Sequence, residues 1–403
     1  MARAPQPMVD PARDSASVLR RIGFLVLLIG LPLGAYVSAT GLVIVAAIGL
    51  SLITAAAAFD GAARPVRESL GRLAASPAIL ALVVLAGWAM LSLVWAPAPR
   101  SGAARLFGTG AVAAVALLGY LSLPDRMRSA NLYLVPIGAG AAAIATVALA
   151  LGFWQEGALE EARRLERGLC VLVLYAWPAI AWLRSRGRDI EAIVLAVAVA
   201  GAAAFGPDPL AALAFAAGAL AYLATQLSER VGTSLVGIVS ATLLVAAPLL
   251  LVFGLPHAGL PDRFTAWGAI MEAWRSAIVE QPYRLLTGHG FGAFRRGSVP
   301  PLVGSAFGAP ALVLWYDLGI VGVASTAFAL WSGLRSTLGR FGPLLPGLAA
   351  AFTTGFAVAL SGIDRGEVWW VAALASVALA FVAAERGQFR TKRPKAVGMG
   401  SAA

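Results

Sequence analysis

Two histidines and a scatter of arginines are the side chains of this chain best suited to chemistry. His257 and His289 share one polar stretch, residues 255–308, with five arginines. From Pro256 it reads PHAGLPDRFTAWGAIMEAWRSAIVEQPYRLLTGHGFGAFRRGSVPPLVGSAFG. An imidazole exchanges protons near neutral pH, and a guanidinium offers phosphate a planar fork of donors. Metal chemistry is not expected, because zinc takes three or four Cys, His or carboxylate ligands at close spacing. His257 and His289 stand far apart, and Cys170, the one cysteine, lies in an apolar run. There it reads as a small packing residue, and alone it forms no internal disulfide. The GHGFG turn lacks the Gly-Lys-Ser/Thr of a phosphate loop, and no strand precedes it as in a dinucleotide fingerprint. No cofactor is expected.

The arginines divide by position. Arg100, Arg105, Arg163, Arg164, Arg167, Arg263, Arg275, Arg284, Arg295, Arg296 and Arg365 fall on one side of the topology argued below. Most such residues snorkel or pair with acids, as Glu160 with Arg164 would at i,i+4. Two are singled out. Arg167 is followed at once by Gly-Leu-Cys-Val-Leu-Val, so its charge sits at the mouth of an apolar segment, a costly place unless it is paired or functional. Arg263 stands beside Trp267 at the start of an amphipathic stretch. Asp317, one residue before LGIVG, reads either as the start of a pore-facing polar patch or as interfacial. Asp208, in FGPDPLAAL, reads as an outer-side ligand or a helix cap. Trp177, Trp182, Trp369 and Trp370 read as an interfacial aromatic belt rather than as sugar-stacking rings.

The elements that must hold these residues are apolar helices. Of the 403 residues, 60% are hydrophobic and 13% charged, against about 25% charged in a soluble domain. The apolar runs are continuous and rich in Ala, Leu and Val, without the period of two that a β-barrel needs. The expected fold is therefore all-α, a polytopic transmembrane helical bundle of about twelve spans. They are placed at 22–37, 41–59, 77–96, 104–123, 131–153, 168–183, 189–206, 209–227, 232–254, 309–333, 342–362 and 368–384. A polar tail (1–21) precedes spans one to nine (22–254). The long loop (255–308), spans ten to twelve (309–384) and a disordered tail (385–403) follow. Within the loop, Phe264, Trp267, Ile270, Met271, Trp274 and Ile278 recur at helical spacing, opposite Glu272, Arg275 and Glu280. This predicts an amphipathic helix from about Arg263 to Glu280, capped by Asp262, and then a turn at Gly288, Gly290 and Gly292.

The net charge is +11, but the basic residues are spread through short connections rather than gathered on one soluble face, so nucleic acid is not expected as a partner. Their placement sets the orientation. With both termini cytoplasmic, 20 Lys and Arg lie inside and 11 outside, which puts loop 255–308 on the periplasmic or extracellular side.

Four stretches in order resemble the O-antigen ligase and polymerase superfamily. LAGWAMLSLVWAPAPRSGAARL resembles the exit of its third span, and ERGLCVLVLYAWPAIAWL resembles its arginine-bearing span. DRFTAWGAIMEAWRSAIVEQPYRLLTGHGFGAFR is similar to its large periplasmic loop, and ALVLWYDLGIVG to the span that follows. The resemblance implies a metal-independent glycosyltransferase of the bacterial inner membrane. Its donor would be glycan on undecaprenyl pyrophosphate, and its acceptor lipid A–core or another glycan. By position Arg167 and Arg263 match the phosphate-binding arginines, with Arg295 after the glycine turn; Trp267 and Asp317 would line the site. Ligases usually carry a histidine about eleven residues before the first glycine of LGxxG. Here that position falls at Gly308-Ala309. The expectation is then a displaced base such as His289, a carboxylate (Asp317 or Asp262), reliance on arginines, or a catalytically silent member that binds lipid-linked glycan or scaffolds an assembly complex. A twelve-span transporter is the remaining alternative; the position of the large break after span nine argues against two related halves.

Overall fold

In the computed structural model, residues 11–60, 71, 74–124, 127, 129–152, 158–206, 209–254, 265–296, 309–361 and 367–387 are described. Among them the chain is all helix and turn, with no strand. Among the described residues ten helices are long and apolar enough to cross a membrane, so the chain is a multi-pass helical membrane protein. Helix is what the runs require, because in hydrocarbon a segment must satisfy its own backbone N–H and C=O groups.

The helices are α1 Pro11–Leu25, α2 Ala39–Asp60, α3 Pro77–Ser92, α4 Pro99–Leu121, α5 Leu134–Ala150 and α6 Ala158–Ser185. Then come α7 Asp189–Ala204, α8 Leu210–Leu227, α9 Glu229–Leu249, α10 Thr265–Glu280, α11 Pro310–Arg335, α12 Leu345–Ser361 and α13 Glu367–Arg386. Each of the twelve expected spans has its helix, although α3 and α7 have only 16 residues. Starts follow local chemistry. Pro77, Pro99 and Pro310 open helices where the missing N–H is not needed. The hydroxyls of Ser76 and Ser228 accept from Ile79 N and Val231 N at 3.3 and 3.4 Å.

Two boundaries differ from expectation. The first helix begins at Pro11, inside the segment read as a polar tail, and Ala16 is fully buried. The reversal into α2 comes at residues 35–38, after a π-helical turn, Val26–Gly30, and a short continuation, Leu31–Gly34. Pro32 stays helical because it falls in the first turn of that continuation. Ser38 Oγ then accepts from Gly41 N at 2.7 Å.

α6 is the axis of the larger core. Every residue from Arg167 to Leu183 is buried, as expected of a helix that is apolar on all sides. Cys170 is packed there as a small residue. The interfacial-belt reading of the tryptophans is corrected: Trp177, Trp182, Trp369 and Trp370 are all buried in this core. Small neighbours make the room. A β-carbon on Gly218 would come within 2.8 Å of the Trp177 ring. Trp177 stacks on Phe215 at 4.7 Å, and its Nε1–H donates to Thr354 Oγ1 at 2.8 Å. Thr354 in turn donates to the Ala214 carbonyl at 3.2 Å, so α6, α8 and α12 are joined by one buried polar relay.

A second core gathers α9, α10 and α11 around Leu244, Met271, Trp274, Trp315 and Tyr316. α10 is amphipathic as expected: Met271 and Trp274 are buried, while Glu272 and Glu280 are exposed. Arg275 pairs with Glu272 one turn back.

The far end of α11 belongs to a different surface. There Arg184, Arg186, Arg188, Arg335, Arg340 and Arg386 lie over the rings of Tyr222, Trp182, Tyr133, Trp331, Phe341 and Tyr120. Arg186 also reaches the Gly387 carbonyl at 2.9 Å, and Arg340 the hydroxyl of Tyr120 at 3.2 Å. The helix ends are thereby stitched together on one face.

Replacing Thr354 by Val should leave the Trp177 N–H buried without an acceptor. The expected cost is about 1–3 kcal/mol, read as a lowered Tm in detergent or nanodiscs, with Trp177→Phe/Thr354→Val less destabilised than the sum of the two single changes.

Candidate functional site at the break in α11

α11 is not continuous. Gly319 has φ 61° and ψ −157°, a conformation that only glycine adopts without strain, and the helix breaks there. The break takes the carbonyls of Tyr316, Asp317 and Leu318 out of the intrahelical ladder, and each finds another donor. Tyr316 O accepts from His289 N at 2.8 Å, and Asp317 O from Gly290 N at 3.0 Å. Leu318 O accepts from Trp88 Nε1 at 2.8 Å. The glycine turn of the long polar segment thus docks on the broken helix from one side and α3 from another.

Close approach explains the glycines. A β-carbon at Gly288 would collide with the Asp317 carbonyl, and one at Gly290 would lie 2.5 Å from Ala96 Cα. The Asp317 side chain completes the dock. Its Oδ2 accepts from Gly292 N at 2.8 Å and its Oδ1 from Phe294 N at 3.1 Å. Ser92 Oγ accepts from Phe291 N at 3.0 Å while donating to Ala89 O at 2.8 Å. Asp317 is buried, which a carboxylate tolerates only when hydrogen-bonded. The buried carboxylate is engaged in anchoring backbone.

His289 is held face and edge. Its ring stacks on Tyr316 at 3.9 Å with planes 8° apart. Nδ1 lies 3.1 Å from the Tyr316 carbonyl, and Nε2 lies 3.2 Å from Gln281 Oε1 on the exposed side. A carbonyl can only accept, so Nδ1 carries the hydrogen and Nε2 carries the lone pair. Gln281 then meets that lone pair with its amide N–H, an orientation reached by exchanging its N and O positions. Burial lowers the proton affinity of the ring below its ordinary value, the Tyr316 hydrogen bond opposes this, and the nearby Arg284 charge adds to the depression. The result is a neutral, tautomer-fixed imidazole with its basic nitrogen outward. On the other flank, Arg105 of α4 reaches the turn: a β-carbon on Gly292 would lie 3.8 Å from its Nη1. Trp274 stacks on Phe294 at 4.8 Å and meets Tyr316 edge-on, tying α10 to the same dock.

Arg167 belongs to α6, which is not one of the segments that build this dock. It is buried in α6, and its Nε donates to the Ala35 carbonyl at 2.7 Å, where the chain reverses between α1 and α2. Arg263, Asp262, His257, Phe264, Asp208, Gly308 and Arg365 lie outside the described residues, as do the side chains of Trp267, Ile270, Arg295, Arg296 and Glu160. Their backbone places Trp267 in the first turn of α10 and Arg295 in the 3₁₀ turn Ala293–Arg296. Ala309, at the position the resemblance reserves for a histidine, is buried at the start of α11. Among the described residues no three His, Cys, Asp or Glu side chains form a group able to hold a metal ion.

Sequence reasoning missed Trp88, Ser92, Gln281 and Tyr316 as parts of this site, and named Arg284 only as one of the arginines on the outer side. Trp88 and Ser92 stand inside the quoted LAGWAMLS stretch, and Tyr316 precedes Asp317, but nothing in residue type marked the carbonyls that hold the ring. Comparison with protein-family models, with curated proteins and with solved structures finds no match to this chain. The class that fold and site define is a polytopic helical membrane protein with a polar dock built on a broken helix.

Asp317→Ala should raise hydrogen exchange at the amides of Gly292 and Phe294 by at least about tenfold, since each loses a bond to a charged acceptor, while Asp317→Asn should retain part of the protection. Acid should act through His289. Its folded proton affinity is depressed, so its contribution to stability is full above about pH 6.5 and declines as pH falls toward the folded value. Trypsin cleavage after Arg284 should therefore accelerate on acidification in the wild type and lose that pH dependence in His289→Gln.

Proposed function

We propose that this protein is a membrane glycosyltransferase of bacterial surface-polysaccharide assembly, in the ligase or polymerase branch. It would transfer or polymerise glycan from an undecaprenyl-pyrophosphate donor at the periplasmic face. Both termini would be cytoplasmic in the inner membrane, with the arginine–aromatic end inward. The observation that carries the reading is His289: a neutral imidazole, Nδ1–H fixed by a backbone carbonyl, Nε2 presented on the water-facing side of a multi-pass bundle. That is the arrangement a general base uses once Gln281 gives up its contact with Nε2: the carbonyl holds one nitrogen in place and the other takes the proton. The resemblance of four stretches, three of which contribute to the dock, adds to it.

In this reading an acceptor hydroxyl attacks the anomeric carbon of the donor sugar. Nε2 of His289 takes the hydroxyl proton as the new C–O bond forms. The bond from the anomeric carbon to the pyrophosphate oxygen breaks, and its electron pair leaves with the lipid pyrophosphate. Arginines stabilise that charge, the roles the resemblance gives to Arg167, Arg263 and Arg295. Trp267 and Asp317 would bound the substrate site, Asp317 by holding the turn that carries His289. The acceptor is lipid A–core or a further glycan.

Two observations favour a second reading, a non-catalytic member that binds lipid-linked glycan or scaffolds the assembly. Ala309 occupies the region where ligases carry their histidine, and the Asp317 carboxylate is already engaged by two backbone amides. The glycan profile of a deletion strain separates the readings: uncapped core points to a ligase, single repeats to a polymerase, an unchanged profile to neither. In that strain His289→Ala should reduce transfer by about 10²–10⁴-fold at normal protein level. Full complementation would remove His289 as the base.

A further inference from the structure

Arg284 carries a feature that the dock itself does not explain. It begins the one-turn helix Arg284–Thr287, between α10 and the glycine turn. This element is rigidly placed: the Arg284 carbonyl accepts from Gly288 N at 2.7 Å, and the Leu286 carbonyl lies against Gly319. The guanidinium is half-buried over the Tyr283 ring, 5.5 Å from its centre. Its Nε is shielded from water, yet among the described residues it meets no hydrogen-bond acceptor, and Arg284 makes no ion pair there. A buried donor without an acceptor is costly, and native structures keep one chiefly where a ligand, ion or water supplies the missing partner. Arg275, also within the polar segment, has its own partner in Glu272.

The surroundings say what kind of acceptor fits. Val279, Tyr283 and Leu286, spaced four and three residues apart, are exposed large apolar side chains on the approach to Arg284. In a multi-pass protein such a face belongs at the lipid boundary, with the tyrosine where hydrocarbon gives way to headgroups. The Arg284 charge also lies near enough to the His289 ring to disfavour protonation there. A cation whose Nε lacks an acceptor among the described residues thus adjoins a run of exposed apolar residues and a neutral base. We infer that Arg284 is a phosphate ligand of this site, holding the pyrophosphate of a polyprenyl-linked donor whose chain lies along Val279, Tyr283 and Leu286. This rests on the transferase reading above and adds to it a ligand outside the set that the resemblance supplies. The arginine would hold the leaving phosphate on the same edge as the nitrogen that takes the acceptor proton.

The test is binding by the purified full-length protein in nanodiscs, with undecaprenyl pyrophosphate, undecaprenol and inorganic pyrophosphate as probes. The wild type should prefer undecaprenyl pyrophosphate over undecaprenol at least tenfold, and inorganic pyrophosphate should bind more weakly than the lipid. Arg284→Ala should erase most of that preference. Arg284→Lys, which keeps the charge without the planar fork, should recover it only in part. The melting temperature of each variant without ligand, close to that of the wild type, shows that the fold is intact. Unchanged binding in Arg284→Ala overturns the inference and leaves the transferase reading standing. A wild type indifferent to the pyrophosphate overturns both. Inorganic pyrophosphate binding as tightly as the lipid, and lost in Arg284→Ala, overturns the assignment to a lipid donor.

Discussion

The site depends on three carbonyls that a helix gives up. An unbroken α11 would consume the carbonyls of Tyr316, Asp317 and Leu318 in its own ladder. At Gly319 the backbone turns out of helical geometry, and those acceptors pass to His289, Gly290 and Trp88. Each exchange is worth only about 0.5–1.5 kcal/mol net, but an orphaned carbonyl in an apolar bundle would cost more, so break and dock require each other. Gly288 and Gly319 both serve this close approach: a β-carbon on Gly319 would lie 2.7 Å from Gly288 N, and one on Gly288 would collide with the Asp317 carbonyl.

The dock joins segments far apart in the chain. α3 brings Trp88 and Ser92, α4 brings Arg105, the polar segment brings His289 and the glycines, and α11 brings Tyr316 and Asp317. The larger core around α6 supplies the support. Its tryptophans fill space between small residues and find polar partners such as Thr354, so the axis of the bundle is packed tightly enough to hold its ends in register. At the opposite end arginines lie over aromatic rings and bond to helix-end carbonyls, which uses their charge to fasten helices where the bundle meets water. The two ends thus use arginine differently: one stitches helix termini, and the other holds Arg284 beside a neutral imidazole.

Much of this was legible from residue order. Apolar runs of membrane-spanning length can only be helices, prolines and serines marked where several begin, and Met271 and Trp274 set the buried face of α10 by spacing alone. Gly288, Gly290 and Gly292 announced a turn with close backbone approach. What spacing could not say is which backbone approached: Asp317, Ala96 and Gly102 come from three other segments. The tryptophan belt was misread for a related reason. A tryptophan near the end of a span has the same local pattern whether it faces lipid or a gap lined by glycine and alanine on another helix, and only packing separates the two.

By itself, then, the sequence determined the class of structure, an all-helical chain of many spans interrupted by one long polar segment, because hydropathy and backbone satisfaction act locally. Tertiary structure decided the chemistry. Which nitrogen of His289 holds the proton follows from the carbonyl of Tyr316, and that carbonyl is available only because the helix breaks at Gly319, a neighbour in space that no pattern around position 289 contains.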